Sequence, residues 1–228
     1  MELIDISKEY IQGEPVLSNV EYSLDRKQIY GLLGINGAGK STLIKIIVGL
    51  VRASSGKVEE KDASLLSFLP EHPYLPVDMT ALQVVSFACR MRGEPDIETA
   101  RTLLAAVGLK QEAWEKKIRT FSKGMCQRTA IAYCLAGNPG WMILDEPMSG
   151  LDAMGRAHIL ELLKQYHNRG CGLFMCSHIV TDIARLCDHV CIMARGKIRE
   201  TMPIKEHSMA EAELMEQRLL FWSGNASL

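Results

Sequence analysis

The chain has 228 residues, 47% of them hydrophobic, with 26 Lys+Arg against 27 Asp+Glu and a formal net charge of −1. That length suits one large domain, or a core with a smaller inserted lobe, and allows a substantial buried core. Near-neutrality argues against a broad electrostatic footprint for nucleic acid. No stretch approaches the roughly 18 uninterrupted apolar residues of a membrane span; the best, Leu43 to Val51, is short and broken by Lys45. The opening MELIDISKEY carries acids where a secretory leader needs a basic region, so a cytosolic protein is expected. Seven cysteines with no C-x-x-C pair are expected as buried, reduced thiols rather than disulfides or a zinc site.

In chain order, residues 2–6 alternate and predict an edge strand, with Tyr10 following a polar turn. Val16 to Leu24 alternates as a second strand. Next comes QIYGLLGINGAGKSTLIKIIVG, residues 28–49. Ile29 to Leu33 predicts a buried strand, Gly34 to Ser41 a loop, and Thr42 to Val48 a helix ended by Gly49. This fits G-x-x-x-x-G-K-[ST] in the strand–loop–helix context that the pattern requires. The glycines let backbone N–H groups approach phosphate oxygens, and the helix N-terminus adds partial positive charge. Gly34, Asn36, Gly37, Ala38, Gly39 and Thr42 are candidate nucleotide contacts. Lys40 reaches the outer phosphates, and the Ser41 hydroxyl is a candidate Mg²⁺ ligand. The stretch predicts nucleoside triphosphate binding.

Val51–Gly56 predicts a polar turn, Lys57–Glu60 a short strand, and Ser64–Leu69 a buried strand stopped by Pro70. PEHPYLPVDM, with three prolines, predicts irregular chain. Thr80 is a candidate N-cap with Gln83 as capping-box partner, opening a helix to about Arg92 that Gly93 and Pro95 break. Apolar residues at 97, 100, 103, 104 and 107 predict a second helix, closed by Gly108. A short charged helix is expected over 114–120. Ser122 caps a helix running to about Ala136, before Gly137-Asn138-Pro139.

Alternation then returns. Trp141–Leu144 predicts a buried strand ending in Asp145-Glu146-Pro147. Asp152 caps a helix to about Asn168, and Gly172–Cys176 is a strand ended by Ser177-His178. Ile179–Leu186 is a helix. His189–Ala194 and Lys197–Glu200 form a hairpin around Arg195-Gly196. One amphipathic helix is expected near 209–221. The texture divides the chain into a core (1–72 and 138–202), an inserted helical lobe (73–137) and a tail (203–228).

After the phosphate loop stand the strand ending at 70–71, FSKGM, MILDEP, SGLD and CSH, in that order. Over residues 1 to about 202 this series resembles the ATP-binding subunit of ABC transporters. The resemblance implies an α/β P-loop NTPase core with a mixed sheet, N-terminal antiparallel β strands and an inserted helical lobe. It also implies hydrolysis of ATP with Mg²⁺. Asp145 corresponds to the Walker B residue that holds the metal, and Glu146 to the general base, which needs reach and orientation more than a raised pKa. His178 matches the switch histidine at the γ-phosphate. Tyr10 matches the aromatic that stacks on adenine, with Val16 at the same ring.

The family's L-S-G-G-Q signature survives at Ser122 and Gly124 but departs at Lys123 and Met125. By resemblance Ser122 and Gly124, with Asp152 of the SGLD turn, complete the nucleotide site of an opposite subunit in a head-to-tail dimer. Glu71 stands where the family places a glutamine. A carboxylate can still ligate Mg²⁺ but brings a negative charge and loses the amide donor. P-E-H-P and S-K-G-M look most like export-type single cassettes that move drugs, polysaccharides or lipids. The implied partners are a second ATP-binding subunit, identical or not, and a separate membrane permease that holds this chain peripherally at the cytoplasmic face; no nucleic acid is expected. A soluble ABC-type ATPase of translation or DNA repair would carry tandem cassettes or coiled-coil insertions. A P-loop kinase or GTPase has no use for FSKGM, SGLD and His178, and no N-K-x-D is present.

Overall fold

The computed structural model describes residues 1–60, 65–94 and 97–224. In chain order its elements are β1 (Glu2–Ile11), β2 (Glu14–Ser23), β3 (Ile29–Leu33), α1 (Lys40–Ile47), β4 (Ser55–Glu59), β5 (Leu66–Leu69), α2 (Ala81–Met91), α3 (Ile97–Ala106), α4 (Lys123–Leu135), β6 (Trp141–Asp145), α5 (Ala153–Asn168), β7 (Gly172–Cys176), α6 (Val180–Leu186), β8 (His189–Ala194), β9 (Lys197–Pro203) and α7 (Met209–Ser223). The chain forms two compact units, Met1–Ala63 with Gly172–Leu228, and Ser64–Cys171.

In the first unit β1 lies between β2 and β4 in an antiparallel sheet. Leu3, Ile6, Leu17 and Val20 turn inward and are buried, while the side chains between them are half-buried or exposed. Tyr10 lies inside β1 rather than after a turn. Asp5 and Asn19, both at left-handed φ, coincide with register shifts, and the Ser7 hydroxyl accepts the Asn19 N–H at 2.9 Å. Such irregularities re-aim a strand without ending it, which the alternation alone did not reveal.

The same unit holds β7, β3 and β8 as parallel neighbours, with β9 antiparallel on β8, a mixed sheet. Every residue of β3 and β7 is buried, as expected for parallel strands covered on both faces. α1 buries Leu43, Ile44, Ile46 and Ile47. The tail helix α7 opens with a capping box, Ser208 and Glu211, and buries Ala212 and Met215. Its Arg218 and Trp222 both bond to Glu200 on β9, the indole N–H at 2.7 Å.

In the second unit β5 and β6 are parallel, pairing Leu66 with Trp141 through Leu69 with Leu144. The helical part packs α2, α3 and α4 through Val85, Ala88, Leu104 and Ile131. The expected capping box of Thr80 and Gln83 opens α2. The expected helix over 114–120 is absent; two short 3₁₀ turns, Gln111–Ala113 and Ile118–Thr120, stand there instead. The cause is pairing with the proline-rich stretch: Ile118 N–H bonds to Met79 O and Arg119 N–H to Val77 O, both at 3.0 Å, so these groups are unavailable to a helix. Expected features at 61–64, 95–96 and 225–228 lie outside the described residues. All seven cysteines are free thiols, six of them buried. Burial pushes Cys134 and Cys191 up to about 12.

Candidate nucleotide-binding site

The phosphate loop leaves the carboxyl end of β3 and enters α1 through Gly39, whose φ of 105° no side-chain-bearing residue adopts without strain. A Cβ there would meet Leu17 Cδ2 at 2.8 Å and Val16 O at 3.1 Å, so β2 presses directly on the loop. α1 has no side-chain cap and no acid in its first turn. Its first turn therefore supplies no carboxylate of its own that would compete with an anion. Lys40 folds back over the loop, Nζ donating to Gly34 O at 2.6 Å and Ile35 O at 3.2 Å. Asn36, Gly37 and Ser41 are exposed, Thr42 is half-buried and Ala38 is buried. An uncapped helix end, a poised ammonium and an exposed hydroxyl fit a triphosphate.

A further brace comes from the β8–β9 turn. Gly196 N–H bonds to Ala38 O at 3.0 Å, and Ser18 N–H to Gly196 O at 2.9 Å. Sequence reasoning placed Arg195-Gly196 in a hairpin but gave it no link to the loop. Only tertiary pairing makes that link, so no local signal announces it.

Tyr10 is 58% exposed, with Lys8 Nζ 5.0 Å above its ring. Val16, half-buried, lies on the paired strand β2. His178 is exposed just beyond β7. Ser177 N–H reaches Leu32 O at 3.4 Å, and Ser177 Oγ accepts from Ile179 N–H at 3.0 Å. These contacts set His178 at the edge of the sheet from which the β3 loop departs. The first unit thus brings together the loop, Lys40, Ser41 and the β7 edge carrying His178.

In the second unit Asp145 ends β6 and is 6% exposed. The pairing of Leu69 with Leu144 puts Glu71, exposed just past β5, at the same edge as Asp145 and Glu146. Glu146 has φ +52°, although it precedes a proline, which favours extended backbone. Such conformations cost about 1–3 kcal/mol and cluster at functional positions. Among the described residues no three His, Cys, Asp or Glu side chains converge as a metal cage.

Ser122 caps α4, its Oγ accepting Met125 N–H at 3.3 Å. Gly124 lies so close to the SGLD turn that a Cβ would stand 2.7 Å from Gly150 O. Asp152 caps α5, accepting Gly155 N–H at 2.7 Å, so one carboxylate oxygen already has a structural duty. One residue had no assigned role in the sequence. Gln127, 2% exposed, donates from Nε2 to Pro147 O at 2.8 Å and approaches Glu146 O at 3.4 Å. Its signal was present as a glutamine on the buried stripe 127, 130, 131 and 134 of α4.

Residues 17–149 match the family model for ABC transporters. An ABC transporter ATP-binding protein of Synechocystis sp. is 35% identical over 216 residues, covering 87% of this chain and 61% of the relative. The chain therefore spans less than two thirds of that relative's length. The lantibiotic transport ATP-binding protein SrtF of Streptococcus pyogenes is 32% identical over 215 residues, covering 90% of this chain and 92% of the relative. A solved ATP-binding subunit of an ABC transporter superposes with TM-score 0.83 at 27% identity, covering 94% of this chain and 98% of the other. A dimeric ATP-binding cassette bound to ADP and Pi superposes at 0.82 with 24% identity, a likeness of fold. With its phosphate loop, mixed sheet and motif series, the chain belongs to the ABC transporter family, as an ATP-binding cassette with the α/β fold of the ABC ATPases.

Proposed function

We propose that this chain binds and hydrolyses ATP with Mg²⁺ as the ATP-binding subunit of a transporter, closing head-to-tail with a second cassette to drive a separate permease. The observation that carries this reading is the uncapped, acid-free N-terminus of α1 behind a glycine loop, with Lys40 Nζ already lying over the loop carbonyls. Backbone donors of residues 34–42 and Lys40 hold the phosphates. Tyr10 stacks on the base beside Val16. Ser41 and Asp145, with Glu71, hold Mg²⁺, which when bound neutralises phosphate charge. Glu146 accepts a proton from the attacking water, and His178 hydrogen-bonds the terminal phosphate. Ser122, Gly124 and Asp152 act on the nucleotide of the opposing subunit. The core, lobe and tail division made from sequence texture stands as part of the same proposal.

The permease partnership and a peripheral place at the cytoplasmic face rest on two supports. No helix among the described residues is long and apolar enough to cross a membrane. The second unit also carries an open apolar cavity of about 290 Å³ lined by Phe68, Leu75, Met79, Phe87 and Tyr133, with Tyr74, 92% exposed, at its rim. The test is a Glu146→Gln variant in gel filtration with ATP, beside phosphate release by the wild type. An ATP-dependent dimer is expected. A variant that stays monomeric with ATP bound, or a wild type with no ATP hydrolysis, sinks the proposal.

A further inference from the structure

Glu146 holds a left-handed φ of +52° directly before Pro147. Both features oppose its conformation, since a side chain disfavours φ > 0 and a following proline favours extended backbone. Pro147 also has no N–H with which to tie the turn down. Something outside the turn must hold it.

Donors reach this turn from within it and from another element. Ser149 N–H bonds to Glu146 O at 3.1 Å, and Leu151 N–H to Met148 O at 3.2 Å. From α4 comes the Gln127 amide, at 2.8 Å from Pro147 O and 3.4 Å from Glu146 O. Gln127 is 2% exposed, so water does not replace it if it is removed. Its helix, α4, begins at the Ser122 cap and passes close to the chain just beyond this turn, where a Cβ on Gly124 would stand 2.7 Å from Gly150 O. The signature segment and the turn bearing Glu146 are thereby joined by the Gln127 amide and lie in close approach at Gly124.

We infer that Gln127 is a positioning residue for hydrolysis. Its amide fixes the backbone carbonyls of 146 and 147, and with them the direction of the Glu146 carboxylate. This rests on the proposed role of Glu146 as general base. Buried and bonded to the backbone of the turn, Gln127 acts through Glu146. It also gives α4 a mechanical path to the base, so that what engages Ser122 and Gly124 is felt at Glu146.

The decisive variant is Gln127→Met, which keeps length and apolar packing but cannot donate. A misdirected catalytic group costs up to about a hundredfold in rate. The expected result is kcat for ATP lowered about ten- to hundredfold, with the ATP dissociation constant unchanged within about twofold. In a Glu146→Gln background the Met change should have no further effect on residual hydrolysis, because the group it aims is already disabled. Should Gln127→Met fail to fold, Gln127→Asn keeps the amide but falls one methylene short, and the same fall in kcat is expected. Wild-type hydrolysis with unchanged kcat in the folded variant overturns the positioning role alone. So does a full further loss of rate in the Glu146→Gln background, and so does a fall confined to ATP affinity. A wild type without ATPase activity overturns the general-base reading and this inference with it.

Discussion

Gly124→Ala separates what the signature glycine does within its own chain from the role proposed for it at a partner's nucleotide. An alanine Cβ would stand 2.7 Å from Gly150 O, where an ordinary contact begins near 3.4 Å. The obstacle is a backbone oxygen, so the neighbour cannot swing aside as a side chain would. Either α4 or the Ser149–Gly150 turn must shift, at about 1–3 kcal/mol for overpacking. Against this, alanine in a helix is favoured over glycine by up to about 1 kcal/mol. The net loss is then roughly 0–3 kcal/mol, or up to about 12 °C in melting temperature at 2–4 °C per kcal/mol for a chain of this size. Calorimetry of the nucleotide-free protein reads this directly, because no dimer contact contributes. Lys123→Ala, next to it on the exposed side, is the control and should melt within about 2 °C of wild type. A Gly124→Ala protein that melts above the wild-type temperature would refute the close contact. Any loss of activity would then belong to the partner's nucleotide alone.

The tail supplies a pH test. The Arg218 guanidinium beside Glu200, helped by the Trp222 indole, holds the Glu200 carboxyl below its ordinary 4.5. A depressed folded value means the stabilisation is complete above about pH 4.5 and is lost as pH falls through the folded value. Urea melts should therefore show the wild type losing more stability than Glu200→Gln on descending from pH 5 to 3; parallel curves would remove Glu200 from the account. Burial, which lifts Cys134 and Cys191 to about 12, leaves almost no thiolate at pH 8. Intact-mass analysis after brief iodoacetamide treatment should find at most the half-buried Cys126 modified in the native protein, and all seven after unfolding. Glu71→Gln should weaken the apparent Mg²⁺ affinity of the ATPase, read by metal titration at saturating ATP. An unchanged titration would remove Glu71 from the metal's ligands.

The phosphate loop was legible because its chemistry is local. Glycines, a lysine and a hydroxyl must be adjacent to wrap one phosphate chain, and the strand and helix on either side carry their own periodicity. Ser122, Thr80 and Asp152 were legible as caps for the same reason, each bonding a backbone N–H three residues on. The buried strands β3, β6 and β7 stood out as short apolar runs, a consequence of being covered on both faces. The order of the motif stations then carried the family.

Other features depended on residues far apart in the chain. The expected helix at 114–120 gave way to turns because Met79 and Val77 offer their carbonyls to Ile118 and Arg119. Tyr10 joined β1 because bulges let the strand bend and continue. The brace of Gly196 on Ala38, the contact of Gly124 with Gly150 and the Gln127 hold on Pro147 all join separate elements. Periodicity reports which face of an element is apolar, but not which backbone atom a distant side chain will reach. In this cassette the residues proposed to touch phosphate are written in consecutive letters. The strain at Glu146 and the amide that opposes it exist only once α4 is packed against the end of β6.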